Sequence, residues 1–184
     1  MRHEIGTYDK TENQLKMSRI LLSLGTNLGH RRQNLQEAVK RLQTRVTVTA
    51  VSPIYETAPW GDADQPDFLN ICLAAETTQS PASLLAWLKQ TEKELGRKVS
   101  RRWGPRLIDI DILAYEDRVV HQKDLMIPHP HMAERTFVLA PLADIAPEWV
   151  HPMTGKNVVQ MLTAVFPTEV HQLPEPLFDR EDIN

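Results

Sequence analysis

Two aspartates, Asp109 and Asp111, stand two residues apart in the run Leu107-Ile108-Asp109-Ile110-Asp111-Ile112-Leu113. The alternation predicts a strand, with Ile108, Ile110 and Ile112 on one face and Leu107, Asp109, Asp111 and Leu113 on the other. Aspartate is depleted from strands, and two carboxylates side by side repel unless a cation lies between them. Just upstream, Arg97, Lys98, Arg101, Arg102 and Arg106 add five positive charges with no acid among them. Carboxylates for a hard cation beside arginines for phosphate oxygens make a site for a metal polyphosphate. The plainer alternative is an edge strand with a solvated face, next to a loop that happens to be basic. The Gly104-Pro105 turn weighs against it, because it fixes where the strand begins and holds Arg106 near the carboxylates.

These residues need a scaffold. Arg19 to Gly25 is a short apolar run ended by glycine, the pattern of a buried strand. The turn Gly25-Thr26-Asn27-Leu28-Gly29 follows, with Thr26 or Asn27 placed to cap a helix over 30–45 whose buried face is Leu35, Ala38, Val39 and Leu42, continued by Val46. A second strand over 46–55, bent near Pro53, and a third over 68–77 flank a long loop. In the third, Leu69, Ile71 and Leu73 share one face, and Phe68, Asn70 and Cys72 the other. Ser80-Pro81 opens a second helix with Leu84, Leu85, Leu88 and Leu95 as its stripe, and Gly96 closes it. Beyond the aspartate strand come a short strand at Val119-Val120, a helix through Phe137 to Leu139 broken up by Pro141 and Pro147, and a last helix over 157–166.

Strand, helix, strand, strand, helix, strand predicts the α+β class: a ferredoxin-like sandwich, an antiparallel sheet with helices packed on one face and long ligand-binding loops over the other. Residues 18–166 would form this domain, after a polar extension over 1–17 and before an acidic, proline-bearing tail over 167–184. The chain of 184 residues, 41% hydrophobic and 24% charged, suits one domain with a real core. A net charge of −3 argues against general nucleic-acid binding. The single cysteine, Cys72, lies in an apolar run and reads as a buried structural thiol. No apolar run approaches ~20 residues, so no membrane span is expected, and a cytoplasmic location follows by elimination.

The stretch Arg102-Trp103-Gly104-Pro105-Arg106, two apolar residues, then Asp109-Ile110-Asp111-Ile112-Leu113 resembles the motif of 6-hydroxymethyl-7,8-dihydropterin pyrophosphokinases, a family of folate biosynthesis. A second stretch, Tyr55-x-Thr57-x-Pro59-x-Gly61 with Asp64-Gln65-Pro66-x-Phe68-x-Asn70, also resembles that family, in its pterin pocket. The resemblance covers about residues 18–166, with a basic loop about one residue shorter than in some members. It implies transfer of pyrophosphate from ATP to the hydroxymethyl group of the dihydropterin, with release of AMP. It implies two Mg²⁺ ions on Asp109 and Asp111, with Arg97 and Arg106 acting on the transferring group. Phe68 and Phe137 would sandwich the pterin, Asn70 and backbone groups at Thr57 and Trp60 would meet its amide edge, and Trp103 would complete the substrate site. His129 matches the histidine that contacts the nucleotide phosphates. Arg135 would face the nucleotide or pterin, with a helix surface as the plainer place for it, and Glu92, which matches a family position on the second helix, would count among the ATP-binding residues as support for the basic loop. His131 has no counterpart.

Two readings from other classes stay open on sequence. An RNA-binding module would use a ferredoxin-like sheet with surface aromatics and a basic loop, although paired aspartates repel a phosphate backbone. A metal-dependent nucleotidyl or glycosyl transferase would use Asp-x-Asp, although no βαβ nucleotide fold accompanies it.

Overall fold

The two longest apolar runs become the two central strands, β1 (Ser18–Thr26) and β4 (Phe68–Thr77), paired antiparallel along their whole length. The computed structural model describes residues 16–59, 64–98, 104–165 and 169–178. Between the central strands lie α1 (Arg31–Leu42), β2 (Thr47–Val51) and β3 (Tyr55–Thr57). The expected single strand over 46–55 is therefore two, separated at Ser52-Pro53-Ile54, where proline cannot donate to the ladder. After β4 come α2 (Pro81–Glu94) and β5 (Asp109–Tyr115), then a small hairpin of β6 (Val120–Gln122) and β7 (Leu125–Ile127). A 3₁₀ turn (Met132–Glu134), α3 (Thr136–Ile145), α4 (Val158–Ala164) and β8 (Val170–Gln172) complete the described chain.

The main sheet has the order β5-β1-β4-β3-β8, with β2 also beside β4 and every pairing antiparallel. With α1 and α2 on one face this is the expected ferredoxin-like α+β sandwich. Ile20, Leu22 and Leu24 of β1, Ile71 and Leu73 of β4, and Ile110 of β5 pack there against Leu35 and Leu42 of α1 and Leu84 and Leu88 of α2. Ser80 caps α2 as expected, its hydroxyl accepting from Ser83 N at 3.3 Å. Neither Thr26 nor Asn27 caps α1, whose cap position is His30 without a side-chain hydrogen bond.

The other face is half covered. Leu21, Cys72 and Leu113 meet Val138, Leu139 and Leu142 of α3 and Val158 and Met161 of α4 in a second core. Pro141 does not break α3 but sits inside it; burial of its neighbours Leu139 and Leu142 offsets the lost backbone bond. The segment read as a tail contributes structure too, since β8 extends the sheet beyond β3 and Leu177 is buried in the first core. What α3 and α4 leave open is the end of the sheet carrying Asn70 and Asp109.

Candidate active site

Strand register sets the floor of that opening. Gly25 of β1 lies opposite Asn70 of β4 on one side and Asp109 of β5 on the other, and Ser23 lies likewise between Cys72 and Asp111. Asn70 and Asp109 therefore stand two strand spacings apart, roughly 10 Å, with no side chain between them. A Cβ on Gly25 would come within 3.1 Å of the Asn70 Oδ1, so the glycine keeps this floor flat. A cavity of about 300 Å³ stands above it.

Of the residues singled out from sequence, Thr57, Phe68, Asn70, Arg97, Arg106, Asp109, Asp111, His129, Arg135 and Phe137 all line this cavity. Trp60 and Trp103 lie outside the described residues, as do Arg101 and Arg102. Ser23, Gly25, Ala58, Lys89 and His131 line it as well and were not anticipated. Lys89 had a legible signal, an i,i+3 pairing with Glu92 on α2.

One end of the cavity is apolar with an amide at its edge. Asn70 is buried and its Nδ2 donates to Thr57 Oγ1 at 2.9 Å. That bond fixes which way the amide points and leaves its oxygen facing Gly25. Phe68 and Phe137 are half-buried beside it. The Arg135 guanidinium, at the start of α3, sits 5.7 Å from the centre of the Phe137 ring, so Arg135 belongs to the cavity and not to a helix surface.

The charged end is organised around Asp109. The basic stretch has no acid within it, but the fold supplies two. Arg106 ion-pairs with Asp109; Arg97 contacts the other Asp109 oxygen at 2.7 Å and also pairs with Glu92. Gly96, in the left-handed region at φ 96°, turns the chain so that Arg97 folds back towards them. Lys89 Nζ lies 2.8 Å from Glu92 Oε1, 3.4 Å from Asp111 and 3.8 Å from Asp109. Three cations thus stand where two aspartates alone would repel.

Glu92 and Lys89 also dress the outer edge of β5. Ile110 N donates to Glu92 Oε1 at 2.7 Å, and Lys89 Nζ donates to Ile110 O at 3.0 Å. Ile110, the residue between the two aspartates, is thereby held through both its backbone N–H and its C=O. Burial by itself would raise the Asp109 carboxyl, but Arg106, Lys89 and Arg97 outweigh it and hold it below its ordinary value. Burial pushes Glu92 up, with Lys89 opposing. Burial lowers Lys89, yet Asp111, Glu92 and Asp109 together keep it above its ordinary value. Burial depresses His129, reinforced by Arg135 and His131 and resisted by Asp111, which favours a neutral ring at pH 7.

The donor set fits a hard cation. Asp109 and Asp111 project from one strand face, with the Asp111 side chain 36% exposed. Among the described residues no three histidine, cysteine or acidic side chains converge to form a complete metal cage. Two carboxylates completed by phosphate oxygens and water is the usual way Mg²⁺ is bound with a nucleotide.

Residues 21–147 match the family described as 7,8-dihydro-6-hydroxymethylpterin-pyrophosphokinase. A 2-amino-4-hydroxy-6-hydroxymethyldihydropteridine pyrophosphokinase of Methylorubrum extorquens is 43% identical over 159 residues, 85% of this chain and 99% of the relative. The protein of the same name from Aquifex aeolicus is 41% identical over 140 residues, 76% of this chain and 88% of its own length. In fold, the chain resembles a crystal structure of Plasmodium falciparum HPPK-DHPS with pterin and p-hydroxybenzoate, with a TM-score of 0.66 at 17% identity. That superposition takes in 81% of this chain but only 43% of the Plasmodium chain.

Proposed function

Because the chain belongs to the 7,8-dihydro-6-hydroxymethylpterin-pyrophosphokinase family, we propose that this cavity transfers pyrophosphate from ATP to the hydroxymethyl group of 6-hydroxymethyl-7,8-dihydropterin. The observation that supports the reading most is the row Asn70, Gly25, Asp109, which sets a buried amide and a pair of carboxylates on one floor. The hydroxymethyl oxygen bonds to the β-phosphorus, the bond from that phosphorus to the α–β bridging oxygen breaks, AMP leaves with that oxygen, and the hydroxyl proton passes to solvent.

Asp109 and Asp111 would hold magnesium, two ions in this reading, and the metal would supply positive charge for the phosphate oxygens and for the attacking hydroxyl. Arg106 and Arg97 then turn from Asp109 to the phosphoryl oxygens, where charge develops in the transition state. Phe68 and Phe137 hold the flat ring, Asn70 and Thr57 meet its amide edge, and His129 and Arg135 face the phosphate chain. Trp60 and Trp103 are assigned to the substrate site on motif alone. ATP is the cell's internal phosphoryl donor, so we place the reaction in the cytoplasm; no helix among the described residues is long and apolar enough to cross a membrane.

Incubation with Mg-ATP and the dihydropterin, followed by separation of nucleotides, should yield AMP in proportion to pterin consumed. Recovery of ADP as the pterin-dependent product would overturn the reading. Phe137→Ala should weaken pterin binding by about 1–3 kcal/mol while sparing the nucleotide, because stacking and burial are lost at one end of the cavity only. Calorimetric titration with each ligand separately checks this, and equal losses would make the ring structural.

A further inference from the structure

The turn between β1 and α1 links the segments that lead to the two ends of the cavity through one side chain. Asn27 is 1% exposed. Its backbone N–H donates to Arg106 O at 3.0 Å, and its Oδ1 accepts from Arg106 N at 2.7 Å. Its Nδ2 donates to Gln65 Oε1 and to Pro66 O, both at 3.0 Å. Every polar group of the side chain is used, and the uses divide cleanly. One acceptor holds the segment that leads into Asp109 and Asp111, and two donors hold the segment that leads into Phe68 and Asn70.

Only an amide of this length satisfies that pattern, because a carboxylate lacks the donors and a hydroxyl supplies one donor only. The neighbouring residues grip the same two segments. Thr26 Oγ1 donates to Leu107 O at 2.6 Å, and Arg31 donates to Asp67 O at 2.7 Å.

Resting on the pyrophosphokinase reading, we propose that Asn27 is a positioning residue that couples nucleotide binding to pterin binding. A ligand that binds at the Arg106 segment also restrains the Asn27 amide, and through it Gln65 and Pro66, before the second ligand arrives. The second ligand then meets a loop already held in its bonded position, which is positive coupling without any contact between Asn27 and either ligand.

Pterin affinity is measured by calorimetry with and without a non-hydrolysable ATP analogue and Mg²⁺, and hydrogen exchange is followed over 64–67. In the native protein the analogue should tighten pterin binding by about five- to a hundredfold, the usual range of coupling between sites. It should also slow exchange at 64–67. Asn27→Asp keeps the acceptor for Arg106 N and removes both donors to Gln65 and Pro66. It should reduce the coupling ratio to about one and abolish the protection, while the analogue alone binds within about threefold of the native value. Gln65→Ala, which removes one of the two acceptors, should give an intermediate ratio, and it carries the comparison if Asn27→Asp fails to fold. Undiminished coupling in whichever variant carries the comparison, or native protein that binds both ligands without coupling, overturns the proposal. Native protein that binds no pterin and forms no AMP refutes the functional reading itself, a result distinct from either.

Discussion

Glu92→Ala is expected to lower the melting temperature by on the order of 10 °C, although Glu92 does not line the cavity. The carboxylate is 1% exposed and accepts from Ile110 N at 2.7 Å. It also neutralises Lys89 at 2.8 Å and Arg97. Truncation leaves a backbone N–H without its acceptor at the edge of β5 and two cations facing each other across the gap. Breaking a fully buried pair costs about 3–5 kcal/mol. Lys89 and Arg97 are partly exposed, at 37% and 26%, so water recovers part of that, and about 2–4 kcal/mol remains. Glu92→Gln keeps an acceptor for Ile110 without the charge and should fall between. Thermal melts of both variants without ligand test this. A Glu92→Ala protein melting within about one degree of the native one would mean that the cations repack freely and that Glu92 props nothing.

The parts of this site visible in the sequence were those written by local periodicity and turn chemistry. Alternation in 107–113 put Asp109 and Asp111 on one face because a strand admits no other arrangement, and Phe68 and Asn70 followed by the same rule in β4. Ser80-Pro81 and Gly96 marked the ends of α2 through capping and a positive φ. Contacts made by register and by distant segments were not legible. The opposition of Gly25 to both Asn70 and Asp109 depends on strand pairing across 45 and 84 positions, which no local pattern encodes. The charge balance is hidden from sequence for the same reason: the basic stretch is free of acids in sequence, while Glu92 and Asp109 reach it in space. A turn asparagine before a helix usually caps it, so Asn27 shares with Thr26 the sequence signal of a helix cap. Its amide is instead consumed by segments 38 and 79 residues away. Pro141 is a helix breaker by local propensity, which tertiary packing overrides in α3.

Asp109→Ala and Asp111→Ala should each lower turnover by roughly two to four orders of magnitude, while their effects on stability differ. From sequence alone the two carboxylates are equivalent, a repelling pair whose loss would relieve strain in the free protein. The structure separates them. The Asp109 side chain is 15% exposed and meets Arg106, Arg97 and Lys89, so its removal leaves three cations around a space without charge. That variant should lose about 1–2 kcal/mol of stability, the lower end of the cost for breaking a partly buried pair. The Asp111 side chain is 36% exposed, and among the described residues it pairs with Lys89 at 3.4 Å, which keeps Glu92 as a partner. Alanine there should melt within about half a kilocalorie per mole of the native protein, the usual range for an exposed surface change. Catalysis does not respect that difference. Magnesium demands near-octahedral oxygen coordination, so losing either carboxylate misplaces the metal and, through it, the phosphoryl group. Apo melting temperature and turnover at saturating Mg-ATP, measured on the same two proteins, decide the matter. A folded Asp111→Ala protein with near-normal turnover would defeat the metal-ligand assignment. Equal destabilisation of both variants would instead show that the arginines, when Asp109 is gone, move to Asp111 and that the two carboxylates share one counter-ion cluster.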